Sequence, residues 1–143
     1  MFFDNLKSKT TERPPTLEGV FLTRYMFASR FAKNKKVLDI GTGLGQGANL
    51  LAKKGATEVL GIDYSKIAVN HAKKTYVLPN LEFKVMNALN ISSLNKSFDV
   101  IVAFEVIEHL PANSHRLFFR EMKKTLNSGN NHKIISYLSF FSH

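Results

Sequence analysis

The sequence contains no cysteine, few acidic residues and no long apolar run. The absence of cysteine excludes disulfides, thiolate zinc sites and cysteine nucleophiles, so stability must come from packing. The longest apolar-rich stretch, residues 134–141, is well short of the roughly 20 residues that a membrane-spanning helix requires. At the N-terminus, Met1-Phe2-Phe3 is followed at once by Asp4 and Lys7, which argues against a secretory signal. We therefore expect a soluble, cytoplasmic protein that does not enter a membrane.

Acidic residues are outnumbered, with 11 Asp and Glu against 20 Lys and Arg and a formal net charge of +9. Such an excess can neutralise phosphates and drive nucleic-acid binding. Here, however, the lysine pairs at 53–54, 73–74 and 123–124 fall late in predicted helices, where cations complement the negative end of the helix dipole. No basic run alternates with aromatic residues that could stack on bases. We expect these lysines to be solvated helix ends and disfavour nucleic acid as a partner.

The 143 residues, 44% of them apolar, are enough for one domain with a buried core. Residues 1–16 are polar and include Arg13-Pro14-Pro15, which predicts a flexible lead-in. The domain itself is predicted to span residues 17–143. It begins with an amphipathic helix, because mostly apolar residues recur at intervals of three and four. The members of the predicted stripe are Leu17, Val20, Phe21, Arg24, Phe27, Ala28 and Phe31.

After this helix, short apolar segments alternate with helical ones. The predicted strands are residues 36–40, 58–62, 81–85, 98–103 and 134–138. Helices are predicted at 46–54, after a cap at Ser65, and from Ser114 onward. In the last helix, Phe119, Met122 and Leu126 are expected to share one face. Strands separated by helices of this length imply right-handed crossovers and a parallel sheet that is covered on both sides.

The most informative segment, residues 37–45, reads V-L-D-I-G-T-G-L-G, a buried strand that runs into a glycine loop and opens a helix. Glycine lets the backbone turn sharply and approach a ligand closely. The helix beyond offers unpaired N–H groups to a polar or anionic ligand. The spacing is not that of a dinucleotide fingerprint, because the sixth position from Gly41 is Gln46. It is not that of a phosphate loop either, because no Lys-Ser or Lys-Thr follows. Nicotinamide-dependent chemistry is therefore disfavoured.

This segment resembles the first motif of the class I S-adenosylmethionine-dependent methyltransferases, and the resemblance extends over roughly residues 12–138. It implies an α/β fold, a Rossmann-like three-layer sandwich with a mostly parallel five-stranded sheet in the order 3-2-1-4-5. It also implies that S-adenosylmethionine is the cofactor and that the loop glycines Gly41, Gly43 and Gly45 help to bind it.

Further positions complete the cofactor site that the resemblance implies. Asp63 ends the second strand, where an acid can accept hydrogen bonds from both ribose hydroxyls, and Tyr64 follows it. The alternative role for Asp63 is that of an acid favoured at a helix start. Asn87 and Ala88 stand where the family usually places Asp-Ala beside the adenine. The Asn87 carbonyl can still accept from the adenine amino group, and the Ala88 N–H can donate to a ring nitrogen.

The fourth predicted strand is followed by Glu105, Glu108 and His109, at the edge where open α/β sheets bind ligands. In a helical turn, these three side chains can converge on one point. By resemblance to the ubiquinone-pathway O-methyltransferases, such an E-x-x-E-H cluster could hold a divalent cation. Alternatively, His109 acts as a general base, or Glu105 and His109 only shape the pocket. We take Glu105 and His109 as catalytic candidates and Glu105 also as a cofactor contact, and assign no metal ligands.

The family usually carries seven strands, whereas this sequence ends at His143, directly after the fifth predicted strand. The usual Pro-Gly-Gly turn before that strand is replaced by residues 128–131, Ser-Gly-Asn-Asn. We therefore expect a domain that lacks the sixth and seventh strands. Its fifth strand would be left uncovered and prone to self-association. The side chains expected to lose their cover are Tyr137, Leu138, Phe140 and Phe141.

The resemblance as a whole implies S-adenosylmethionine-dependent methyl transfer to a small-molecule acceptor, with oxygen as the favoured acceptor atom. The alternative is a catalytically impaired fragment that either binds the cofactor or binds a partner chain through its open sheet edge. The fold and the cofactor site do not identify the acceptor.

Overall fold

The computed structural model describes residues 17–129 and 132–137. The predicted lead-in at residues 1–16 and the side chains of Tyr137, Leu138, Phe140 and Phe141 lie outside this description. In chain order, the helices and strands are α1 (Leu17–Ala32), β1 (Lys36–Ile40), α2 (Gln46–Lys53), β2 (Glu58–Asp63), α3 (Lys66–Thr75), β3 (Leu81–Val85), β4 (Val100–Phe104), α4 (His115–Thr125) and β5 (Lys133–Tyr137). Short 3-10 helices cover Ala88–Leu94, Ile107–His109 and Ala112–Ser114.

The five strands form one sheet in the order β3-β2-β1-β4-β5, and every neighbouring pair is parallel. This arrangement confirms the predicted fold class and strand order. At the end of β1, Ile40 pairs with Ile62 of β2 on one side and with Ala103 of β4 on the other. The carboxyl ends of these three strands therefore meet at one edge of the sheet, where α/β proteins bind their ligands.

Two apolar clusters cover the two faces of the sheet. One face is covered by α1, α2 and α3, with Val37 of β1 at its centre. The other is covered by α4 and the 3-10 helix Ala88–Leu94, with Leu38 and Ile40 at its centre. Successive β1 residues point to opposite faces, so both faces of this central strand are buried. This burial explains why Val37, Leu38 and Ile40 are apolar and makes the buried Asp39 the exception in this strand.

The predicted stripe of α1 is partly wrong. Phe27 is 50% exposed, whereas Tyr25, Ala28 and Ala32 are buried against the sheet. The buried positions are separated by three and four residues, as expected for one helix face, but that face contains a tyrosine and two alanines. Ala28 and Phe21 of the predicted stripe do belong to this side, since Ala28 is buried and Phe21 packs against the same cluster. The prediction placed Phe27 there wrongly and missed Tyr25.

The face predicted for α4 is also partly wrong: Met122 is buried and Leu126 packs beside it, whereas Phe119 is 47% exposed. The buried residues are Phe118, Glu121, Met122 and Thr125. Glu121 accepts hydrogen bonds from the Ser92 backbone N–H (3.1 Å) and hydroxyl (2.8 Å), which compensates its burial. A pattern that counts only apolar residues cannot place a carboxylate on the inner face.

The predicted helix cap at Ser65 is confirmed, and the predicted start of the fourth strand is corrected by two residues. The Ser65 side chain caps α3 by accepting from the Ala68 N–H at 3.2 Å. Strand β4 begins at Val100, two residues later than predicted, because Phe98 forms only an isolated bridge with Leu126.

Among the described residues, no helix combines the length and apolarity needed to cross a bilayer.

Candidate functional site

A cavity of about 570 Å³ opens at the carboxyl edge of the sheet, beyond the ends of β1, β2 and β4. Its size lies within the range of small-molecule and cofactor sites. Apolar residues such as Ile40, Ile62 and Met86 form much of its wall. Seven of the nine residues predicted for the site line it, namely Gly41, Asp63, Tyr64, Asn87, Ala88, Glu105 and His109. The remaining two, Gly43 and Gly45, belong to the loop beside it.

The loop glycines have different roles, although Gly43 (φ 56°) and Gly45 (φ 92°) both adopt left-handed backbone conformations. A Cβ at Gly45 would lie 2.8 Å from the Phe83 ring and from Ala72, so this glycine permits close packing in the core. A Cβ at Gly43 would meet nothing within 4 Å. Gly43 therefore borders open space, and a ligand can approach its backbone.

Asp63 connects β2 to the glycine loop. Its Oδ2 accepts from the Gly43 N–H at 2.9 Å, and its Oδ1 accepts from the Ser65 N–H at 2.9 Å. An ionised carboxylate can accept about four hydrogen bonds, so each oxygen keeps roughly one further acceptor position. The carboxylate is thus fixed by two backbone donors, lies at the cavity wall and can accept from two neighbouring hydroxyls.

Asn87 and Ala88 stand at the start of the 3-10 helix Ala88–Leu94 and also line the cavity. The Asn87 Oδ1 accepts from the Leu89 N–H at 2.9 Å, which caps the helix. A second lone pair of this oxygen and the amide N–H groups remain available to a ligand. Sequence reasoning missed Glu121, whose hydrogen bonds with Ser92 attach this helix to α4 and so fix the wall.

The segment after β4 is conformationally strained at the cavity. Glu105 has a positive φ of 55°, which is uncommon for a residue with a side chain and is frequent at functional sites. Its carboxylate forms an ion pair with the Arg24 guanidinium of α1 at 3.0 Å. Glu105 and His109 both line the cavity, whereas Glu108 does not.

The predicted convergence of Glu105, Glu108 and His109 is not observed. Within the described ranges, no three His, Cys, Asp or Glu residues are grouped so that they could hold a metal ion. The reason is local geometry: the helical turn covers only Ile107–His109, and Glu105 lies before it and pairs with Arg24 instead.

A second buried carboxylate lies next to the glycine loop. Asp39 of β1 has no exposed surface, and burial raises its pKa to about 7. Its Oδ1 accepts from the Tyr25 hydroxyl and its Oδ2 from the Thr42 hydroxyl, each at 2.8 Å. Sequence reasoning did not assign these residues to the site. A polar residue inside an apolar strand was the available signal for Asp39, but nothing in the pattern of α1 singled out Tyr25.

A parallel sheet of this order, with a glycine loop after β1 and a fixed carboxylate at the end of β2, defines the class I Rossmann-like methyltransferase fold. Residues 37–129 match the profile of a family described as "Methyltransferase domain". The chain belongs to this family, and the resemblance seen in the sequence is confirmed.

Similar proteins support the same assignment. Over 78 residues, the chain is 41% identical to a putative methyltransferase 235L of Invertebrate iridescent virus 6, a match that covers 52% of this chain and 28% of the viral protein. It is 38% identical over 98 residues to a ubiquinone biosynthesis O-methyltransferase of Pelagibacter ubique, covering 66% and 38% of the two chains. The matches thus span about a third of these relatives.

Solved structures show the same fold. The N-methyltransferase NodS from Bradyrhizobium japonicum, solved in complex with S-adenosyl-L-homocysteine, superposes with a TM-score of 0.67. The superposition covers 76% of this chain and 57% of NodS at 23% sequence identity. At this identity, the likeness concerns the fold.

Proposed function

We propose that the cavity binds S-adenosylmethionine and that the chain takes part in methyl transfer to a small molecule. The observation that carries this proposal is the Asp63 carboxylate, which two backbone N–H groups orient at the cavity wall while leaving acceptor positions free. A pair of vicinal hydroxyls, as on a ribose, is the ligand group that fits such a carboxylate. Family membership supports the same cofactor.

Each part of the cofactor has a counterpart in the proposed site. Asp63 accepts from the ribose hydroxyls, and the open backbone at Gly43 allows the cofactor to approach the loop. Asn87 and the Ala88 N–H recognise the polar edge of the adenine. Tyr64 is 84% exposed at the rim of the cavity, where its ring can cover the nucleoside.

Methyl transfer requires few dedicated catalytic groups. The bound cofactor supplies a methyl group on a positively charged sulfur, which is displaced in line by the acceptor. The protein therefore has to align the two reactants and remove a proton from the acceptor. We propose that His109, exposed at the cavity, takes this proton, and that Glu105, fixed by Arg24, orients the reactants.

We propose oxygen as the acceptor atom. Its support is the similarity to ubiquinone biosynthesis O-methyltransferases from Pelagibacter ubique and Agrobacterium fabrum. The cavity lining is largely apolar and suits an acceptor with an apolar body; its apolar residues include Phe104, Val106, Leu110, Met86 and Leu89.

Calorimetric titration with S-adenosylhomocysteine tests the cofactor site. We expect the wild-type chain to bind and Asp63→Ala to lose at least about tenfold in affinity, because hydrogen bonds to a charged acceptor are worth roughly 1.5–3 kcal/mol. Glu58→Ala is the matched control, because Glu58 begins the same strand at the opposite edge of the sheet. Equal affinity of the wild type and Asp63→Ala would remove Asp63 from the site.

We further propose self-association through β5. In the described part of the chain, β5 pairs only with β4, so one row of its backbone groups is unpaired, and Ile134 is 39% exposed. Analytical ultracentrifugation should show a dimer that dissociates on dilution. A monomer at all concentrations would contradict this interface.

A further inference from the structure

Three buried side chains from α1, β1 and the glycine loop meet next to the proposed cofactor cavity. Tyr25, Asp39 and Thr42 are each no more than 3% exposed. The two hydroxyls donate to different oxygens of the Asp39 carboxylate, each at 2.8 Å. Through this carboxylate, α1 is joined to the turn that contains Gly41 and Gly43.

The position of Tyr25 is fixed by its packing. A Cβ at Gly47 of α2 would lie 2.1 Å from the Tyr25 Cζ atom, so the ring rests directly on the helix backbone. On another side, the Phe104 ring meets Tyr25 edge-on at 5.0 Å. Phe104 itself lines the cavity. Tyr25 therefore has little freedom to direct its hydroxyl elsewhere.

Thr42 is fixed from two further directions. Its backbone N–H donates to the Ile62 carbonyl at 2.9 Å. Its hydroxyl occupies space that exists because Gly61 has no side chain, since a Cβ there would lie 2.6 Å from the Thr42 Oγ1. The next residue, Gly43, donates to Asp63. Continuous contacts thus lead from Tyr25 to the carboxylate proposed to hold the ribose.

We propose that Tyr25 is a positioning residue of the cofactor site: it orients the Asp39 carboxylate so that Thr42 keeps the glycine turn in the shape that presents Gly43 and Asp63. This inference rests on the proposed cofactor binding. Tyr25 does not line the cavity, although it contacts Phe104, which does. It acts through Asp39 and Thr42 without touching the cofactor.

The electrostatics of the cluster make this role pH-dependent. Burial raises the pKa of Asp39 to about 7, the hydroxyls of Thr42 and Tyr25 lower it, and the nearby Asp63 carboxylate raises it. Burial and Asp39 hold the pKa of Tyr25 well above its usual value, so Tyr25 remains a donor at neutral pH. Only the ionised Asp39 accepts with both oxygens. Loss of the Tyr25 hydroxyl should therefore raise the pKa of Asp39. The protonated form of Asp39, which accepts less well from the Thr42 hydroxyl, would then be favoured.

The test is calorimetric titration of the full chain with S-adenosylhomocysteine between pH 6 and 9. Wild-type affinity should fall as the pH drops through about 7, the pKa of Asp39. In Tyr25→Phe the fall should occur at higher pH. If the pKa of Asp39 rises by about one unit, its ionised fraction at pH 7 falls from about one half to about one tenth, so binding should weaken about fivefold near neutrality and much less at pH 9. Tyr76→Phe, a partly buried tyrosine on the same apolar cluster, is the control and should keep the wild-type profile.

Superimposable pH profiles of the wild type and Tyr25→Phe would overturn this inference while leaving the cofactor site intact. Absence of binding by the folded wild type would instead overturn the proposed function. If Tyr25→Phe does not fold, as judged by circular dichroism, two variants of Thr42 test the same coupling. Thr42→Ser, which retains the hydroxyl, should keep the wild-type profile, and Thr42→Val should shift it upward; identical profiles for these two variants would contradict the coupling.

Discussion

Asp39 places a carboxyl group in the core, where burial raises its pKa from 3.8 to about 7. The folded state therefore binds more protons than the unfolded state between about pH 4 and pH 7. Across this window the free energy of unfolding falls as the pH rises, because Asp39 must ionise without contact with water. At neutral pH and above, the carboxylate thus destabilises the fold, although it accepts hydrogen bonds from Tyr25 and Thr42. Such a cost is typical of a residue that is retained for function.

We predict that Asp39→Asn stabilises the protein at pH 8 by about 2 kcal/mol, because one pKa unit corresponds to about 1.4 kcal/mol and the new amide meets the two hydroxyls less well. At pH 5 the two proteins should differ little, since Asp39 is then protonated in the folded wild type. The same variant should bind S-adenosylhomocysteine more weakly. Urea denaturation at the two pH values measures the difference.

Asp99 provides a control, because replacing its carboxylate should change the stability at pH 8 in the opposite direction. It accepts from the Lys36 backbone N–H at 2.9 Å, and this bond lowers the pKa of Asp99. Its contribution to stability is present above the unfolded pKa and is lost as the pH falls through the folded one. Asp99→Asn should therefore destabilise the protein at pH 8. A destabilised Asp39→Asn at pH 8 would contradict the electrostatic account of the cluster.

In the contact between α1 and α2, the Tyr25 ring of α1 leaves no room for a side chain at Gly47 of α2. Gly47 is the second residue of α2, where glycine is normally less favourable than alanine by about 1 kcal/mol. Helix propensity alone therefore predicts that alanine would stabilise α2. The Tyr25 ring, whose atoms would lie 2.1–2.4 Å from a Cβ at this position, predicts the reverse.

We predict that Gly47→Ala destabilises the protein by more than about 2 kcal/mol, because a Cβ would force the Tyr25 ring away from Asp39. The control is Gly129→Ala, where a Cβ would meet nothing within 4 Å and the effect should be close to zero. Both are measured as changes in the midpoint of urea unfolding. A Gly47→Ala variant as stable as the wild type would show that α1 does not press on α2 as described.

At the scale of the whole molecule, the sheet could be predicted from the sequence because buried parallel strands are nearly continuous apolar segments separated by helices. The cavity could be placed because the glycine loop and Asp63 follow adjacent strands whose carboxyl ends share one edge. The buried faces of α1 and α4 could be predicted only in part: Ala28 and Met122 are buried as predicted, but the polar members of these faces were missed. These faces depend on Tyr25 and Glu121, polar residues whose partners, Asp39 and Ser92, are 14 and 29 positions away in the sequence. Local periodicity does not report such pairings.

The central claim is that the cavity beyond β1, β2 and β4 holds the nucleoside of S-adenosylmethionine. The most direct measurement is a crystal structure of the chain with S-adenosylhomocysteine. We predict that both ribose hydroxyls lie within about 3 Å of the Asp63 carboxylate oxygens, as hydrogen bonds require, with the adenine beside Asn87 and Ala88. A nucleoside bound at another surface, or in this cavity with its ribose turned away from Asp63, would contradict the account.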